Sequence, residues 1–155
     1  MEQYGRRNNI RIVGLRNDKP FETSQDTAWQ VVNFINDKMD INISVHQIDI
    51  AHRLGPYSRD TNRNIIVRLI SRQVKFNVLT HCKELKKTGV YINEDLTHTN
   101  QKVLSSMRLK DPKTVERAWS YEGKLYLRRK GANENELITY SHFDEWLNLP
   151  WPKKK

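Results

Sequence analysis

The sequence predicts an α+β protein, in which a ferredoxin-like βαββαβ sandwich precedes a small helix–three-strand–helix domain. Short segments of alternating or β-branched apolar residues predict strands, and two longer segments with apolar residues at helical spacing lie between them. This is the order of a split βαβ unit. A second set of elements follows Asp95–Thr97. We therefore place the domains at residues 1–96 and 97–155.

The first domain is predicted from local spacing and from turn residues. Ala28, Val31 and Ile35 recur at helical spacing, Ser24 is a plausible N-cap, and Gly55-Pro56 ends a strand. The predicted elements are strand Ile10–Leu15, a helix from Ser24 to about Met39, strands Ile48–Leu54 and Ile65–Ile70, helix Arg72–Leu85 and strand Val90–Asn93.

The second domain is predicted around a hairpin turn at Glu122-Gly123. Ser141 is the expected cap of the last helix, and Trp119 and Trp146 are expected to pack in the core. The predicted elements are helix Thr97–Leu109, strands Ala118–Tyr121, Lys124–Arg129 and Leu137–Tyr140, and helix His142–Leu149.

The composition favours a polyanionic partner. The chain of 155 residues has 27 Lys and Arg against 18 Asp and Glu, a formal net charge of +9. Nucleic acid or an anionic surface would suit this charge, although a basic soluble domain is the plainer alternative. No apolar stretch has the length of a membrane span, so no membrane partner is expected. One cysteine, Cys82, fits a reducing compartment.

The sequence gives little support to an enzyme. Five histidines are scattered without the spacing of metal ligands, and no glycine-rich phosphate loop is present. Cys82 follows His81, but neighbours on a helix point in different directions. We expect a non-catalytic protein with no metal and no cofactor.

The first strand resembles the opening strand of an RNA-recognition motif (RRM), in which an aromatic second residue stacks on a base. Here the second position is Arg11, whose planar guanidinium can stack on a base or hold a phosphate. In the RRM arrangement the first and third strands are central neighbours, so Arg11 and Arg68 are expected together on the uncovered face. The alternative is that they pair with acidic neighbours such as Asp49.

Further basic residues are candidates for phosphate contacts, because arginines at the edge of a sheet give affinity without reading sequence. In the first domain they are Arg6, Arg7, Arg53, Arg59 and Arg63. In the second domain they are Lys102, Arg108, Arg128 and Arg129, which we expect to form a second basic lip.

Six segments together resemble the first-open-reading-frame protein of LINE-type (non-LTR) retrotransposons. They are EQYGRRNNIRIVGL, IDIAHRLG, RNIIVRLI, VYINEDLT, AWSYEGKLYLRRKG and ITYSHFDEWL. The resemblance implies a noncanonical RRM and a C-terminal domain that together clamp single-stranded RNA in a basic cleft. It also implies a nucleic-acid chaperone in a cytoplasmic ribonucleoprotein particle, with nuclear entry as a further expectation from Lys153-Lys154-Lys155. The contacts that it favours are Arg7, Arg53, Arg59, Arg63, Arg68 and Arg108.

Two questions stay open at the level of sequence. Single-stranded RNA is the expected partner and single-stranded DNA the alternative, because discrimination depends on contacts to the 2′-hydroxyl. A protein-interaction module is the alternative function, since an RRM fold without aromatic residues on its sheet can bind peptides. The proteins that this chain resembles usually trimerise through a long coiled coil before the RRM. No heptads precede the first strand here, so a homotrimer is expected only if a coiled coil lies upstream in a longer protein.

Overall fold

A computed structural model describes residues 2–153, and side chains from Gln3 onward. Met1, Lys154 and Lys155 lie outside the described residues, as does most of the lysine run considered as a nuclear signal. The chain forms two compact units. The four-stranded unit is Gly5–Asp95, and the three-stranded unit comprises Leu96 onward together with the residues up to Tyr4. Both units combine helices with an antiparallel sheet, so the protein is α+β.

The four-stranded unit is built on a sheet with the strand order β2-β3-β1-β4, in which all neighbours are antiparallel. The predicted pairing of the first and third strands is therefore confirmed. The helical turn α1 (Glu2–Gly5) precedes this unit, and all of its residues but Gly5 belong to the three-stranded unit. The elements of the four-stranded unit are β1 (Asn9–Val13), α2 (Ser24–Lys38), a 3-10 turn (Val45–Gln47), β2 (Ile48–Arg53), β3 (Ile65–Leu69), α3 (Arg72–Thr80), a 3-10 turn (Cys82–Leu85) and β4 (Tyr91–Glu94).

The predicted alternation along β1 and β3 is confirmed. Ile10 and Ile12 are fully buried, whereas Arg11 between them is partly exposed. In β3, Val67 is buried and Arg68 is exposed. The buried side chains pack against Val31 and other apolar residues of α2 in one core. The helices therefore cover one face of the sheet and leave the arginines on the other.

In the four-stranded unit, one helix cap and one helix end differ from the prediction. Thr23, not Ser24, caps α2: its side chain accepts from the backbone N–H of Asp26, and the Asp26 carboxylate accepts from the backbone of Thr23. This capping box satisfies two N–H groups at once, which Ser24 inside the helix would not do. The second helix is interrupted at His81, where α3 gives way to the 3-10 turn.

A buried lysine holds the segment that leads into β1. Lys75 of α3 is 6% exposed, and its Nζ donates to the backbone carbonyl of Arg7 at 2.9 Å. The same Nζ lies 3.6 Å from the Glu94 carboxylate, which is also buried. A buried ammonium needs such partners, and the contact fixes the backbone at Arg7 beside the sheet.

The three-stranded unit contains α4 (His98–Leu109), β5 (Val115–Tyr121), β6 (Lys124–Arg129), β7 (Glu136–Ile138) and α5 (Tyr140–Asn148). Its sheet has the order β5-β6-β7 and is antiparallel. Glu122 and Gly123 both have positive φ, as a tight hairpin turn requires. Thr139 rather than Ser141 is the N-cap of α5. Apolar residues of both helices and all three strands form a second core.

Residues before β1 complete the three-stranded unit. The Gln3 side-chain oxygen accepts from the backbone N–H of Thr97 at 2.9 Å and from the Asn100 amide at 2.8 Å. Asn100 is 4% exposed, so this bond satisfies a buried amide.

Across residues 2–153, none of the helices has both the length and the apolar character needed to cross a bilayer.

Candidate nucleic-acid interface

The sheet of the four-stranded unit has one face that the helices do not cover, which we call the open sheet face. Strand alternation and register place the same-side residues of four strands there. They are Arg11 and Val13 of β1, Ile50 and His52 of β2, Ile66 and Arg68 of β3, and Tyr91 and Asn93 of β4. The face is therefore mixed in character, with two arginines near its centre.

Arg11 is fixed in place by a buried carboxylate at the end of β4. Its Nε donates to Asp95 Oδ1 at 2.8 Å, and 38% of its side chain remains exposed. Asp95 is 1% exposed and also accepts from Arg6 Nη1 at 2.9 Å and from Asn9 Nδ2 at 3.0 Å. The Asp95 carboxylate thus orients two candidate arginines, Arg6 and Arg11, and neutralises part of their positive charge. The expected alternative of an acidic partner holds for Arg11, although that partner is Asp95 rather than Asp49.

Arg68 is the more accessible of the two central arginines. Its closest acidic group is Asp49, at 3.9 Å, and both side chains are at least half exposed. An exposed pair at this distance contributes little, typically about 0–1 kcal/mol. Arg68 lies directly opposite Asn9, and Arg11 opposite Ile66, so the two arginines are diagonal neighbours on adjacent strands. A ligand can therefore compete with Asp49 for Arg68 at small cost.

The expectation that Arg53 belongs to an exposed basic rim is wrong. Its side chain is only 2% exposed, because alternation puts it on the helix-covered side together with Ala51. Its Nε donates to Glu22 at 3.0 Å. Its Nη groups donate to the carbonyls of Leu15, Arg16 and Arg63 and to the Gln30 side chain, at 2.8–3.1 Å. Arg53 therefore holds a loop to the sheet and is not accessible to a phosphate.

Arg63 forms a bidentate salt bridge with Asp18. Its Nε donates to Asp18 Oδ2 at 3.0 Å and its Nη2 to Oδ1 at 2.9 Å, and its backbone N–H adds a third bond. These hydrogen bonds lower the pKa of the Asp18 carboxyl, despite the opposing effect of its burial, and the carboxyl is ionised at neutral pH. The Arg63 guanidinium also lies 5.7 Å from the Tyr57 ring. Arg63 is thus a poorer phosphate ligand than the sequence indicates.

The remaining candidates of the four-stranded unit are at its surface. Arg59 is exposed in the loop between β2 and β3, and Arg7 is exposed just before β1. Tyr91 was not identified from sequence, although it is 65% exposed on the open sheet face. Its alternation with the buried Val90 and Ile92 is the signal that could have found it. The open sheet face therefore does carry an aromatic ring, next to Val13.

The four basic candidates of the three-stranded unit do not form one lip. Lys102 and Arg108 are six residues apart on α4, which places them about 120° apart around the helix, on different faces. Arg108 Nε donates to the Ala118 carbonyl at 3.0 Å, and desolvation lowers the pKa of its guanidinium. Arg128 and Arg129 are adjacent on β6 and point to opposite sides. Arg128 bonds Asn135, while Arg129 pairs with Glu136 and lies 5.9 Å from the ring of Trp146.

The two tryptophans expected in the core have different positions. Trp146 is 6% exposed and belongs to the core, as predicted. Trp119 is half-buried and lies outside the core, so that prediction is wrong. It faces Tyr126 across the β5–β6 pair, with ring centroids 5.8 Å apart and planes 14° from parallel. Its alternation with the buried Ala118 explains why it points away from the core.

Cys82 is not placed for nucleophilic chemistry. Its Sγ lies 3.6 Å from the Val78 carbonyl and 3.5 Å from the Ile92 carbonyl. Burial raises the pKa of the thiol to about 11, so it is protonated at neutral pH. Among residues 2–153, no group of three His, Cys, Asp or Glu side chains could hold a metal ion.

We expect the folded protein to react with iodoacetamide at pH 8 about 100-fold more slowly than the chain in urea, since a pKa two units higher reduces the thiolate fraction by that factor. Mass spectrometry of timed samples measures both rates. Similar rates in the two states would show that Cys82 is exposed and ionises normally.

No protein-family model matches this chain, and no curated protein sequence matches it.

Proposed function

We propose that this protein is a non-catalytic, single-stranded RNA-binding protein in which an RRM-like fold presents the open sheet face to the nucleic acid. The strand order β2-β3-β1-β4 and the sequence order βαββαβ support the RRM-like assignment. The resemblance of six sequence segments to LINE-type first-open-reading-frame proteins supports a role as nucleic-acid chaperone in a retrotransposon ribonucleoprotein particle. Single-stranded DNA remains the alternative ligand.

The observation that carries this proposal is the pair of arginines at the centre of an uncovered sheet. Arg11 and Arg68 are diagonal neighbours, and like charges at such a separation repel unless an anion lies between or above them. Asp95 offsets the charge of Arg11, but the exposed Asp49 does little for Arg68. A phosphate backbone that crosses the face would neutralise the charges of both arginines, and Tyr91 offers a ring on which a base can stack.

The arrangement suits binding that tolerates many sequences. Arginine contacts to phosphates position a strand without reading it. Stacking on Tyr91 would accept any base, because every base has an aromatic face. The net charge of +9 adds long-range attraction to a polyanion. These properties fit a protein that coats or remodels single strands better than one that selects a motif.

A protein-interaction module is the second candidate. It is favoured by apolar side chains near the arginines: Ile50 is 41% exposed, and Ile70, which follows β3, is 55% exposed. A peptide could use these surfaces. Salt dependence separates the two readings, because an apolar interface responds weakly to salt and counterion release responds strongly.

The test is a titration of the full chain with labelled single-stranded RNA, single-stranded DNA and duplex RNA over a range of salt concentrations. If about five phosphates are neutralised, log K should fall against log salt with a slope of about −3.5, from roughly −0.7 per contact. Single strands should bind more tightly than duplex. A flat salt response would reject the proposal and favour the protein-interaction module, whereas equal binding of duplex would reject the preference for single strands.

Arg68→Ala should weaken single-strand binding by about 1–3 kcal/mol and make the salt slope shallower by roughly 0.7. The matched control is Lys38→Ala, which removes one positive charge at the end of α2, on the helix-covered side. Lys38→Ala should change the affinity only slightly. Equal losses from the two variants would mean that net charge, not the open sheet face, determines binding.

A further inference from the structure

One side of the sheet of the three-stranded unit faces away from the core of that unit, and we call this side the aromatic face. Cross-strand register pairs Arg117 with Arg128, Trp119 with Tyr126, and Tyr121 with Lys124. The same register places Leu137 of β7 beside Tyr126. These seven residues share one side of the sheet by alternation. Three of the seven are aromatic and three are basic.

The aromatic residues on this face are not needed for the core. The opposite side of the sheet supplies the core residues Ala118, Leu125, Leu127 and Ile138, all at most 6% exposed. Tyr121 and Leu137, by contrast, are 47% and 46% exposed. Large rings in a small sheet usually pack inward, since burying them stabilises the fold. Their position on the outer side therefore points to a ligand.

Two of the rings and one of the cations form a stacked arrangement. The Trp119 and Tyr126 rings are 5.8 Å apart and nearly parallel. The Arg117 guanidinium lies 4.6 Å from the centre of the Trp119 ring. Arg128 donates through Nε to Asn135 at 2.7 Å, which orients its guanidinium at the edge of the face. The stack is thus held in position before any ligand binds, so less side-chain entropy is lost on binding.

The charge of the aromatic face identifies the chemistry of its partner. Arg117 and Arg128 are directly opposite each other, an arrangement that is unfavourable without an anion. Lys124 adds a third positive charge two positions from Tyr126, and none of the seven positions is acidic. An aromatic centre flanked by cations is the composition that holds single-stranded nucleic acid, with bases on the rings and phosphates on the cations.

We propose that the aromatic face is a base-stacking platform for unpaired nucleotides, with Trp119 and Tyr126 as the stacking rings and Arg117, Lys124 and Arg128 as phosphate ligands. This inference rests on the proposed function for its ligand class, but it assigns a separate site with different chemistry. Binding at the open sheet face depends mainly on arginines, whereas binding here depends mainly on rings. Duplex is excluded as a ligand of the platform, because its base faces are already stacked on each other.

The test uses the full chain and labelled single-stranded RNA of mixed sequence. Trp119→Ala should raise Kd by roughly 5- to 150-fold, the factor that corresponds to one lost base–aromatic stack. Trp119→Phe should retain most of the affinity, because a ring remains. The matched control is Trp151→Ala, which removes an exposed tryptophan that lies beside Lys110 rather than on the aromatic face. Trp151→Ala should leave Kd within about twofold of wild type.

Two further measurements keep the test decisive if Trp119→Ala unfolds. Arg117→Ala changes an exposed residue and should make the salt slope shallower by roughly 0.7. RNA should also quench tryptophan fluorescence in the wild type and much less in Trp119→Phe, because stacking brings the base into contact with the indole. Unchanged quenching in Trp119→Phe, or unchanged Kd and slope in the folded variants, would overturn the platform.

The outcomes also separate this inference from the proposed function. If Arg68→Ala weakens binding and the aromatic-face variants do not, the platform is wrong and the open sheet face stands. If only the aromatic-face variants weaken binding, the platform stands without the open sheet face. Concentration-dependent dimerisation that Trp119→Ala abolishes, without any change in RNA affinity, would show that a second copy of the chain covers the face and would reject the inference.

Discussion

Arg53→Ala is expected to lower the free energy of unfolding of the four-stranded unit by about 3–5 kcal/mol, the range for breaking a buried ion pair. The substitution removes five hydrogen bonds and leaves the Glu22 carboxylate, 1% exposed, without its cation. It also leaves the backbone carbonyls of Leu15 and Arg16 without the hydrogen bonds that Arg53 donates. Urea titration followed through the amide NMR signals of β1 and β3 measures unfolding of this unit separately from the other.

The control for this prediction is Arg59→Ala, which removes the same charge from an exposed loop position and should change stability by less than about 0.5 kcal/mol. Arg53→Lys should remain strongly destabilising, because an ammonium cannot reproduce the planar fork that reaches five acceptors. Under conditions in which Arg53→Ala is still folded, its affinity for single-stranded RNA should equal that of wild type. A stable Arg53→Ala variant with impaired binding would instead support the contact expected from sequence.

The burial of Arg53 could not be predicted from the sequence, because it depends on distant partners. Its alternation with Ala51 indicated the covered side of β2, but a lone arginine is rarely buried, so the surface was the natural expectation. Burial becomes favourable only because the loop after β1 brings Glu22, Asp18 and two backbone carbonyls to the same point. These partners are 31–38 residues away in sequence, and no local pattern encodes that meeting.

The position of Trp119 differs from the prediction because its residue type and the strand pattern point to different sides of the sheet. Tryptophan is usually well buried, so a core position was expected, whereas the period of two along β5 puts it on the side opposite Ala118. Trp146 was placed correctly because its helix has a single apolar stripe, which leaves one direction for the core. Where the local period and the residue type disagreed, the period was the better guide.

The open sheet face could be predicted because it depends on the same local rule. Alternation in β1 and β3 puts Arg11 and Arg68 on one side once the apolar positions are assigned to the core. The partner of Arg11 could not be predicted, since Asp95 lies 84 residues later and meets it only through the pairing of β1 with β4. The side chains that share a face of the sheet can thus be predicted from the local alternation along each strand. Their ion pairs cannot, because the partners come together only in the folded structure.

Gly14→Ala is expected to lower the free energy of unfolding of the four-stranded unit by about 2–5 kcal/mol. Gly14 follows β1 with φ of +89°, a conformation that costs an L-residue about 1–2 kcal/mol. A Cβ there would also lie 2.4 Å from the backbone carbonyl oxygen of Gly89, just before β4. The backbone must move to relieve that contact, which adds about 1–3 kcal/mol as in other overpacked sites.

The chain contains a matched control for the conformational part of this effect. Gly55 has φ of +82°, nearly the same value, and a Cβ added there meets nothing within 4 Å. Gly55→Ala should therefore cost only the strain, about 1–2 kcal/mol. The difference between the two variants, measured by the same urea titration, isolates the close approach of the segments that flank β1 and β4. Equal losses from Gly14→Ala and Gly55→Ala would show that the two backbones are not in contact. A larger loss for Gly14→Ala would establish that the end of β1 is held against the start of β4, the pairing that brings Asp95 to Arg11.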